Sequence, residues 1–180
     1  MTATTGGPYF DRNQKPHQKP ANKKTRKRKS LYALIQQKEK ILCILTHQSP
    51  RFELPGGGRE KNETPTQTLQ REILEETGYT LIAHEKKPFH KVHTLFYAKD
   101  LDEYYDSTMI FYRATVQPQR HLPPQDTSEV KSAQWKKIRD QTKKTFHPIH
   151  YQALRIAHNA FKKYPEPKKN TVFKGSIVYR

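Results

Sequence analysis

Apolar side chains are unevenly distributed along this chain, and their spacing predicts where regular structure begins. Residues 1–29 are rich in Pro, Gln, Lys, Asn and Gly and nearly lack large apolar residues, which predicts a disordered tail. Further on, short apolar or alternating segments bounded by turn residues predict a series of strands, at Leu31–Gln36, Ile41–Leu45, Tyr79–Ala83, Val92–Ala98, Thr108–Val116 and Val130–Ile138.

Two segments carry helix signals. The first begins after Thr64, an N-cap residue whose capping box is completed by Gln67, and runs through Glu76 to an end at Gly78. The second begins at Pro148 and repeats apolar residues at helical spacing. Strands interleaved with these two helices predict an α/β fold in which a mixed sheet packs between helices.

A length of 180 residues fits one domain with a proper core. We therefore predict a basic tail at 1–29, a single domain at 30–164 and a basic extension at 165–180. Within the extension, Thr171–Tyr179 is a candidate edge strand.

The formal net charge is +17, of which nine cations and one acid in residues 1–29 contribute +8. Because both parts of the chain are basic, the charge favours a polyanionic partner such as a nucleotide, a polyphosphate or RNA. The alternative is a merely soluble surface, which charge alone does not exclude. The basic cluster at Lys23–Lys29 has three interpretations: a nuclear-import signal, an RNA-binding arm or a solvated tail, of which the solvated tail is favoured.

No apolar segment is long enough to cross a bilayer, and the N-terminus lacks the apolar segment of a secretory signal. We therefore expect a cytoplasmic protein without a membrane partner, with nuclear import as the alternative. Cys43 is the only cysteine and lies in an apolar segment, which predicts a buried, inert thiol.

The candidate chemistry lies in the first helix. Glu72, Glu75 and Glu76 fall within about 100° of one another around the helix axis, where like charges repel. A divalent cation among the three carboxylates would turn this repulsion into ligation. Oxygen ligands select hard ions, so magnesium is expected and manganese is the second choice. A solvated acidic face would explain the three glutamates equally well if they stood alone.

The surrounding pattern decides between these readings. The segment Gly57–Tyr79 reads Gly, five residues, Glu, seven residues, Arg-Glu, apolar, any, Glu-Glu, any, Gly, apolar. It resembles, without a departure, the signature box of the Nudix hydrolase family, and Phe52–Gly56 is similar to the family's usual approach to that box.

The resemblance implies an α/β/α sandwich with a mixed sheet and hydrolysis of a nucleoside diphosphate linked to another moiety. It implies that Glu75 and Glu76 are the main metal ligands, and that Glu72 is a ligand or the general base. Further implied roles are metal ligation by the Gly56 carbonyl and by Glu129 (with Asp126 as the fallback), support of the loop and helix by Glu63 and Arg71, and substrate contact by Gly57 and Gly58.

Aromatic residues and histidine pairs are weaker candidates. Tyr97 lies near where dinucleoside-polyphosphate hydrolases of the family tend to carry a tyrosine, and Tyr97 or Tyr112 could stack on a base. Tyr104 and Tyr105 fall in a predicted loop, Asp100–Asp106, that could overhang the site. The pairs His90/His93 and His147/His150 lack further ligands, so zinc is disfavoured; His147 rather marks a helix start.

Three functions follow in order of preference. The first is a pyrophosphohydrolase of a soluble nucleotide, in which Arg71 and the three box glutamates are catalytic. The second is an enzyme that removes pyrophosphate or a cap from the 5′ end of RNA, with the basic tail and surface holding the polymer. The third is a non-catalytic nucleotide- or RNA-binding module, which the presence of every box glutamate disfavours.

Overall fold

The computed structural model describes residues 7–119 and 122–163, with side chains described through residue 159. Its elements in chain order are β1 (Tyr9–Phe10), β2 (Pro16–His17), β3 (Thr25–Gln37), β4 (Lys40–Thr46), β5 (Phe52–Glu53), β6 (Gly56–Gly58), α1 (Pro65–Thr77), β7 (Leu81–His84), β8 (His90–Ala98), β9 (Glu103–Val116), β10 (Val130–Lys137), a short 3₁₀ helix (Ile138–Asp140) and α2 (Pro148–Lys163).

One mixed sheet connects the strands in the order β10-β4-β3-β9-β8-β1-β2, while β5 pairs with β4, β6 with β3 and β7 with β9. Two pairings are parallel, β3 with β9 and β1 with β8, and the others are antiparallel. The glycine strand β6 pairs with the middle of β3, with Gly57 opposite Leu31. This pairing places Gly57, the first residue of the Gly57–Tyr79 segment, against the centre of the sheet.

Alternating side chains on β3 supply a hydrophobic core on each face of the sheet. Leu31, Ala33 and Ile35 pack with Leu69 and Ile73 of α1. On the opposite face, Leu34 packs with Phe111, Phe146 and residues of α2, namely Ala153, Leu154 and Ala157. The result is the three-layer α/β/α arrangement that the sequence predicts, with α1 and α2 on opposite faces.

Helix α1 ends as the sequence predicts. The Thr64 side chain accepts a hydrogen bond from the Gln67 amide, and the Gln67 side chain accepts from the Thr64 amide. At the other end Gly78 has a left-handed φ of 71° and its amide donates to the Leu74 carbonyl. A Cβ at Gly78 would lie 1.7 Å from the Leu122 carbonyl oxygen, so glycine is also required sterically.

The structure differs from the sequence prediction at the N-terminus, where residues 7–29 are folded rather than disordered. Tyr9 is buried edge-on against Tyr104, and Phe10 pairs with Phe96 of β8. The Asp11 carboxylate accepts hydrogen bonds from two backbone amides of the following turn. Two aromatic anchors and one capping acid thus fold a segment whose average composition predicts disorder.

The same revision applies to the strand boundaries. Strand β3 begins at Thr25, so residues 25–29 of the basic cluster are the first part of a sheet strand. Strand β9 begins at Glu103, so Tyr104 and Tyr105 lie in a strand rather than an overhanging loop. Cys43 is buried as predicted, and burial raises the pKa of its thiol. The candidate strand Thr171–Tyr179 lies outside the described residues. In the described ranges, neither helix is long and apolar enough to cross a membrane.

Candidate active site

The glycine strand β6 is closely packed on both sides. Gly56 has a φ of 136°, and a Cβ there would lie 2.1 Å from the Leu31 carbonyl oxygen. A Cβ at Gly57 would lie 2.6 Å from Glu72 Oε1, and one at Gly58 would lie 2.8 Å from Arg28 Nη2. Glycine therefore lets the backbone approach an acid on one face and a guanidinium on the other.

Arg71 organises the acids around this strand. Its Nε donates to Glu63 Oε1 at 2.8 Å, and its Nη2 donates to Glu63 Oε2 at 3.1 Å and to the Gly58 carbonyl at 3.0 Å. Its Nη1 donates to Glu72 Oε1 at 2.8 Å and to Glu75 Oε2 at 3.3 Å. Arg71 thus joins the loop residues Glu63 and Gly58 to Glu72 of the helix, the pair of elements that the family resemblance implies it supports.

Glu63 is held firmly in its charged form. The hydrogen bonds from Arg71 lower the pKa of Glu63 to about 2, with further hydrogen bonds from the Glu60 amide and the Thr68 hydroxyl. A charged Glu63 holds the Arg71 guanidinium in one orientation. The guanidinium in turn holds the Gly58 carbonyl of the loop and Glu72 of the helix in place.

Two of the three glutamates of helix α1, Glu72 and Glu76, lie where little of their surface is exposed to water. Burial raises the pKa of Glu72 to about 7, although Arg71 opposes the rise. Glu76 is buried, and burial together with the nearby Glu72 charge raises its pKa well above the usual value. Its Oε2 accepts a 2.7 Å hydrogen bond from the Gly56 amide. Glu75 is different, because 41% of its side chain is exposed and it turns towards Arg71.

Two further carboxylates belong to the same electrostatic neighbourhood. Glu129, a metal ligand implied by the family resemblance, raises the pKa values of both Glu72 and Glu76, so the structure brings it near these two residues. Glu53 of β5 is buried, also raises the pKa of Glu76, and carries a buried Oε1 without a hydrogen-bond partner. The fallback residue Asp126 instead holds its own loop, accepting from the Ser128 hydroxyl and the Glu129 amide.

Arg12 reaches this cluster from the N-terminal segment. Its Nη2 donates to Glu129 Oε1 at 2.6 Å, and the charge of Glu53 helps to raise its pKa. Sequence reasoning missed both Arg12 and Glu53. A signal was present for Glu53, because an acid between Phe52 and Leu54 in a short apolar strand is unusual; the position of Arg12 depends on contacts distant in sequence.

The donor set fits a hard cation, although the described side chains are not arranged as a finished cage. Among the described residues, no three His, Cys, Asp or Glu side chains converge closely enough to hold a metal ion in this conformation. The ion pair of Arg12 with Glu129, the raised pKa of Glu76 and the unpartnered Glu53 Oε1 nevertheless show a surplus of carboxylate oxygens and negative charge, which suits a divalent cation. A rotation of Glu75 away from Arg71 would add a further oxygen ligand.

Tyr97 and Tyr112, the two tyrosines predicted to stack on a base, contact other parts of the protein in the structure. Tyr112 is buried in the core on the α1 side of the sheet, edge-on to His84. Tyr97 stacks on Tyr104 and its hydroxyl donates to Asp102. Neither contact supports a direct role in binding a base.

Both histidines at the start of α2 are buried. His150 Nδ1 accepts from the Leu54 amide at 3.0 Å, and His147 Nε2 lies 3.2 Å from Gln14 Nε2. Burial lowers the pKa of His147 to about 4 and that of His150 well below 6.5. Helix α2 begins at Pro148, as the sequence predicts, and the pair is a neutral part of the core.

This combination of an α/β/α sandwich, a glycine strand and a glutamate-bearing helix defines the class of Nudix-type hydrolases. A sequence profile of the Nudix domain matches residues 25–155. The chain therefore belongs to the Nudix family and is a hydrolase of that type. Comparison with curated protein sequences gives no match.

Solved structures resemble the fold. A Nudix hydrolase from Nitrosomonas europaea is 22% identical over 75% of this chain and 90% of its own, with a TM-score of 0.58. A MutT Nudix hydrolase from Burkholderia pseudomallei is 20% identical over 72% and 97%, with a TM-score of 0.57. An ADP-ribose pyrophosphatase from Streptococcus suis is 17% identical over 78% and 94%, with a TM-score of 0.54.

Proposed function

We propose that this protein hydrolyses a phosphoanhydride bond in a nucleoside diphosphate linked to another moiety, with a divalent cation held by its box glutamates. The observation that carries the proposal is the electrostatic coupling of Glu72, Glu76, Glu129 and Glu53, since the pKa of Glu76 is raised by the charges of the other three. Buried carboxylates that repel one another destabilise a fold. A cation that binds both these carboxylates and a diphosphate would offset the repulsion, which accounts for the arrangement.

Each site residue has a role in this proposal. Glu76 and Glu72 hold the cation, with Glu75 and Glu129 completing its oxygen ligands. A cation bound there would neutralise phosphate charge and lower the pKa of a water molecule. The Gly56 amide keeps Glu76 in place, and Arg71 keeps Glu72 Oε1 in place. Glu72 Oε2, which Arg71 does not contact, is the atom best placed to accept a proton from the attacking water.

The main test is a screen of nucleotides, dinucleoside polyphosphates, sugar nucleotides and 5′-triphosphate RNA with Mg²⁺ or Mn²⁺, scored by product identity. We expect release of a phosphorylated product that stops when a chelator is added. Turnover that continues unchanged in the chelator would contradict the role given to the cation. A binding module would associate with these ligands without forming product.

One observation favours action on RNA as a second candidate. The basic residues Arg26 to Lys29 are the start of β3, and the Lys29 carbonyl accepts a hydrogen bond from the Arg59 amide beside the glycine strand. Cations therefore lie next to the site, where they could bind the phosphates of a polymer.

Salt dependence separates the two substrates. For an RNA substrate, activity on 5′-triphosphate RNA should fall steeply between about 50 and 200 mM salt, because neutralised phosphates release counterions. Turnover of mononucleotides should then be negligible. Better turnover of mononucleotides, with weak salt dependence, would support a soluble nucleotide substrate and exclude the RNA role.

A further inference from the structure

Arg28 of β3 is a cation beside the glycine strand that has no acidic partner among the described residues. Two other cations of the basic segment are paired, since Lys23 contacts Asp102 at 2.5 Å and Arg26 contacts Glu103 at 2.8 Å. The Arg28 guanidinium instead lies over the Tyr105 ring, 5.4 Å from its centroid. Stacking on the ring holds the guanidinium in one plane while leaving its N–H donors free.

The backbone at Gly58 gives this guanidinium its place. A Cβ at Gly58 would lie 2.8 Å from Arg28 Nη2 and 3.2 Å from its Cζ, so a side chain there would displace it. The neighbouring residue Gly57 approaches Glu72 in the same way. Because side chains of adjacent strand residues project from opposite faces, the two glycines separate a helix carboxylate from a guanidinium by the thickness of one strand.

Arg28 also lines a cavity whose wall includes one buried carboxylate of the cluster, that of Glu53. Ser30, Tyr32 and Ser107 contribute polar groups to it, and Glu53 and Arg12 lie at its wall. Burial and the charges of Glu53 and Glu76 raise the pKa of Tyr32, while Arg28 and Arg12 oppose the rise. The Tyr32 hydroxyl is therefore within electrostatic reach of both the acids of the proposed site and the free guanidinium.

We propose that Arg28 binds phosphate oxygens of the substrate and positions the diphosphate at the Gly58 end of the glycine strand. The inference rests on the proposed function and adds a substrate-binding residue to it. A guanidinium presents a planar pair of donors that matches two phosphate oxygens, and the absence of a carboxylate partner leaves that pair available.

The test compares Arg28→Gln with Arg26→Gln, which removes the same charge two residues away on the same strand from a side chain that is 68% exposed and paired with Glu103. Binding of inorganic pyrophosphate with Mg²⁺ is measured by titration calorimetry. We expect Arg28→Gln to raise the Kd on the order of tenfold or more and Arg26→Gln to change it less than about twofold. Arg28→Lys, which keeps the charge and loses the fork, should lie between them.

Two controls keep the result interpretable. Binding of Mn²⁺ alone, measured by electron paramagnetic resonance, should be the same in Arg28→Gln and the unaltered protein, since Arg28 does not touch the glutamates. Equal pyrophosphate affinity in these two proteins overturns the role of Arg28 and leaves the proposed function standing. Failure of the unaltered protein to bind pyrophosphate or to hydrolyse any nucleotide with Mg²⁺ overturns both. Unequal Mn²⁺ binding would reassign Arg28 to support of the carboxylates and overturn direct phosphate contact.

Discussion

The Gly56 amide donates a 2.7 Å hydrogen bond to Oε2 of the buried Glu76, joining the first residue of the glycine strand to the last glutamate of helix α1. This bond compensates part of the cost of burying a carboxylate and fixes the direction of its other oxygen. Strand and helix therefore form one unit, in which a change at either residue should be felt at the other.

Replacement of Glu76 by glutamine should separate catalysis from folding. The amide oxygen can still accept from Gly56, and the buried negative charge is lost, so we expect thermal stability to be kept or raised. Metal-dependent turnover should fall by at least about a hundredfold. The measurements are product release and thermal unfolding, with the exposed Glu39→Gln as the matched control. Undiminished turnover in the Glu76 variant would remove it from the catalytic group.

The Arg71 fork makes a different prediction. Arg71→Lys keeps the charge and loses the simultaneous contacts with Glu63, Glu72 and the Gly58 carbonyl. We expect a loss of about 1–3 kcal/mol in the free energy of unfolding, together with reduced turnover. Urea denaturation measures the first quantity. Arg139→Lys, at a side chain that is 70% exposed, should shift it by less than about 0.5 kcal/mol, and equal effects at both positions would argue against the fork.

Alanine at two adjacent glycines should have unlike effects. At Gly56 the new Cβ meets the Leu31 carbonyl in a left-handed backbone conformation, so Gly56→Ala should destabilise the fold by several kcal/mol, on the order of its whole stability reserve. At Gly57 the Cβ meets the end of the flexible Glu72 side chain. Gly57→Ala should therefore fold and bind Mn²⁺ more weakly. Circular dichroism and metal titration check the pair, and a folded Gly56→Ala with the native melting temperature would contradict the first half.

The buried histidines predict a loss of stability in acid. His150 packs against His147, Tyr32 and Phe111, with the Arg12 charge nearby, and its pKa is lowered well below 6.5. Below about pH 6.5 the His150 imidazole binds a proton in the unfolded chain but not in the folded chain. The free energy of unfolding therefore has its full value above that pH and decreases as the pH falls below it. Each such histidine contributes about 1.4 kcal/mol per pH unit.

Chemical denaturation at pH 7.5, 6.0 and 5.0 measures this slope. His150→Asn can still accept from the Leu54 amide and does not titrate, so its stability should depend less on pH. The exposed His47→Asn should keep the full dependence. An unchanged slope in His150→Asn would mean that acid sensitivity arises elsewhere.

Local signals in the sequence were sufficient for helix α1 and its acids. Thr64, Gln67 and Gly78 act within one or two turns of chain, and the spacing of Glu72 and Glu76 alone places them on one helix face. Support of the loop and helix by Glu63 and Arg71 has a different origin, because only the family resemblance implied it; in the structure Arg71 Nε donates a hydrogen bond to Glu63 Oε1.

The contributions of Arg12 and Glu53 were not predictable from local pattern. Arg12 lies 117 residues from its partner Glu129, and Glu53 of β5 pairs with Ile44 of β4 and lines the same cavity as Arg12. Composition predicted disorder for residues 1–29 because it averages over a segment in which two aromatic residues and one acid determine the conformation. Tyr112 was misassigned for a related reason, since strand alternation does not specify which face is solvent.

The folded N-terminal segment bears on the behaviour of N-terminally truncated forms of the protein. A fragment cloned from residue 25, where the domain profile starts to match, would retain every residue of the signature box. It would lack Arg12, which is the ion-pair partner of Glu129, and the Phe10 ring. Both residues line the cavity beside Arg28, so part of its wall would be missing. Assays on such a shortened enzyme would report on an altered pocket, with substrate preferences that need not be those of the intact chain.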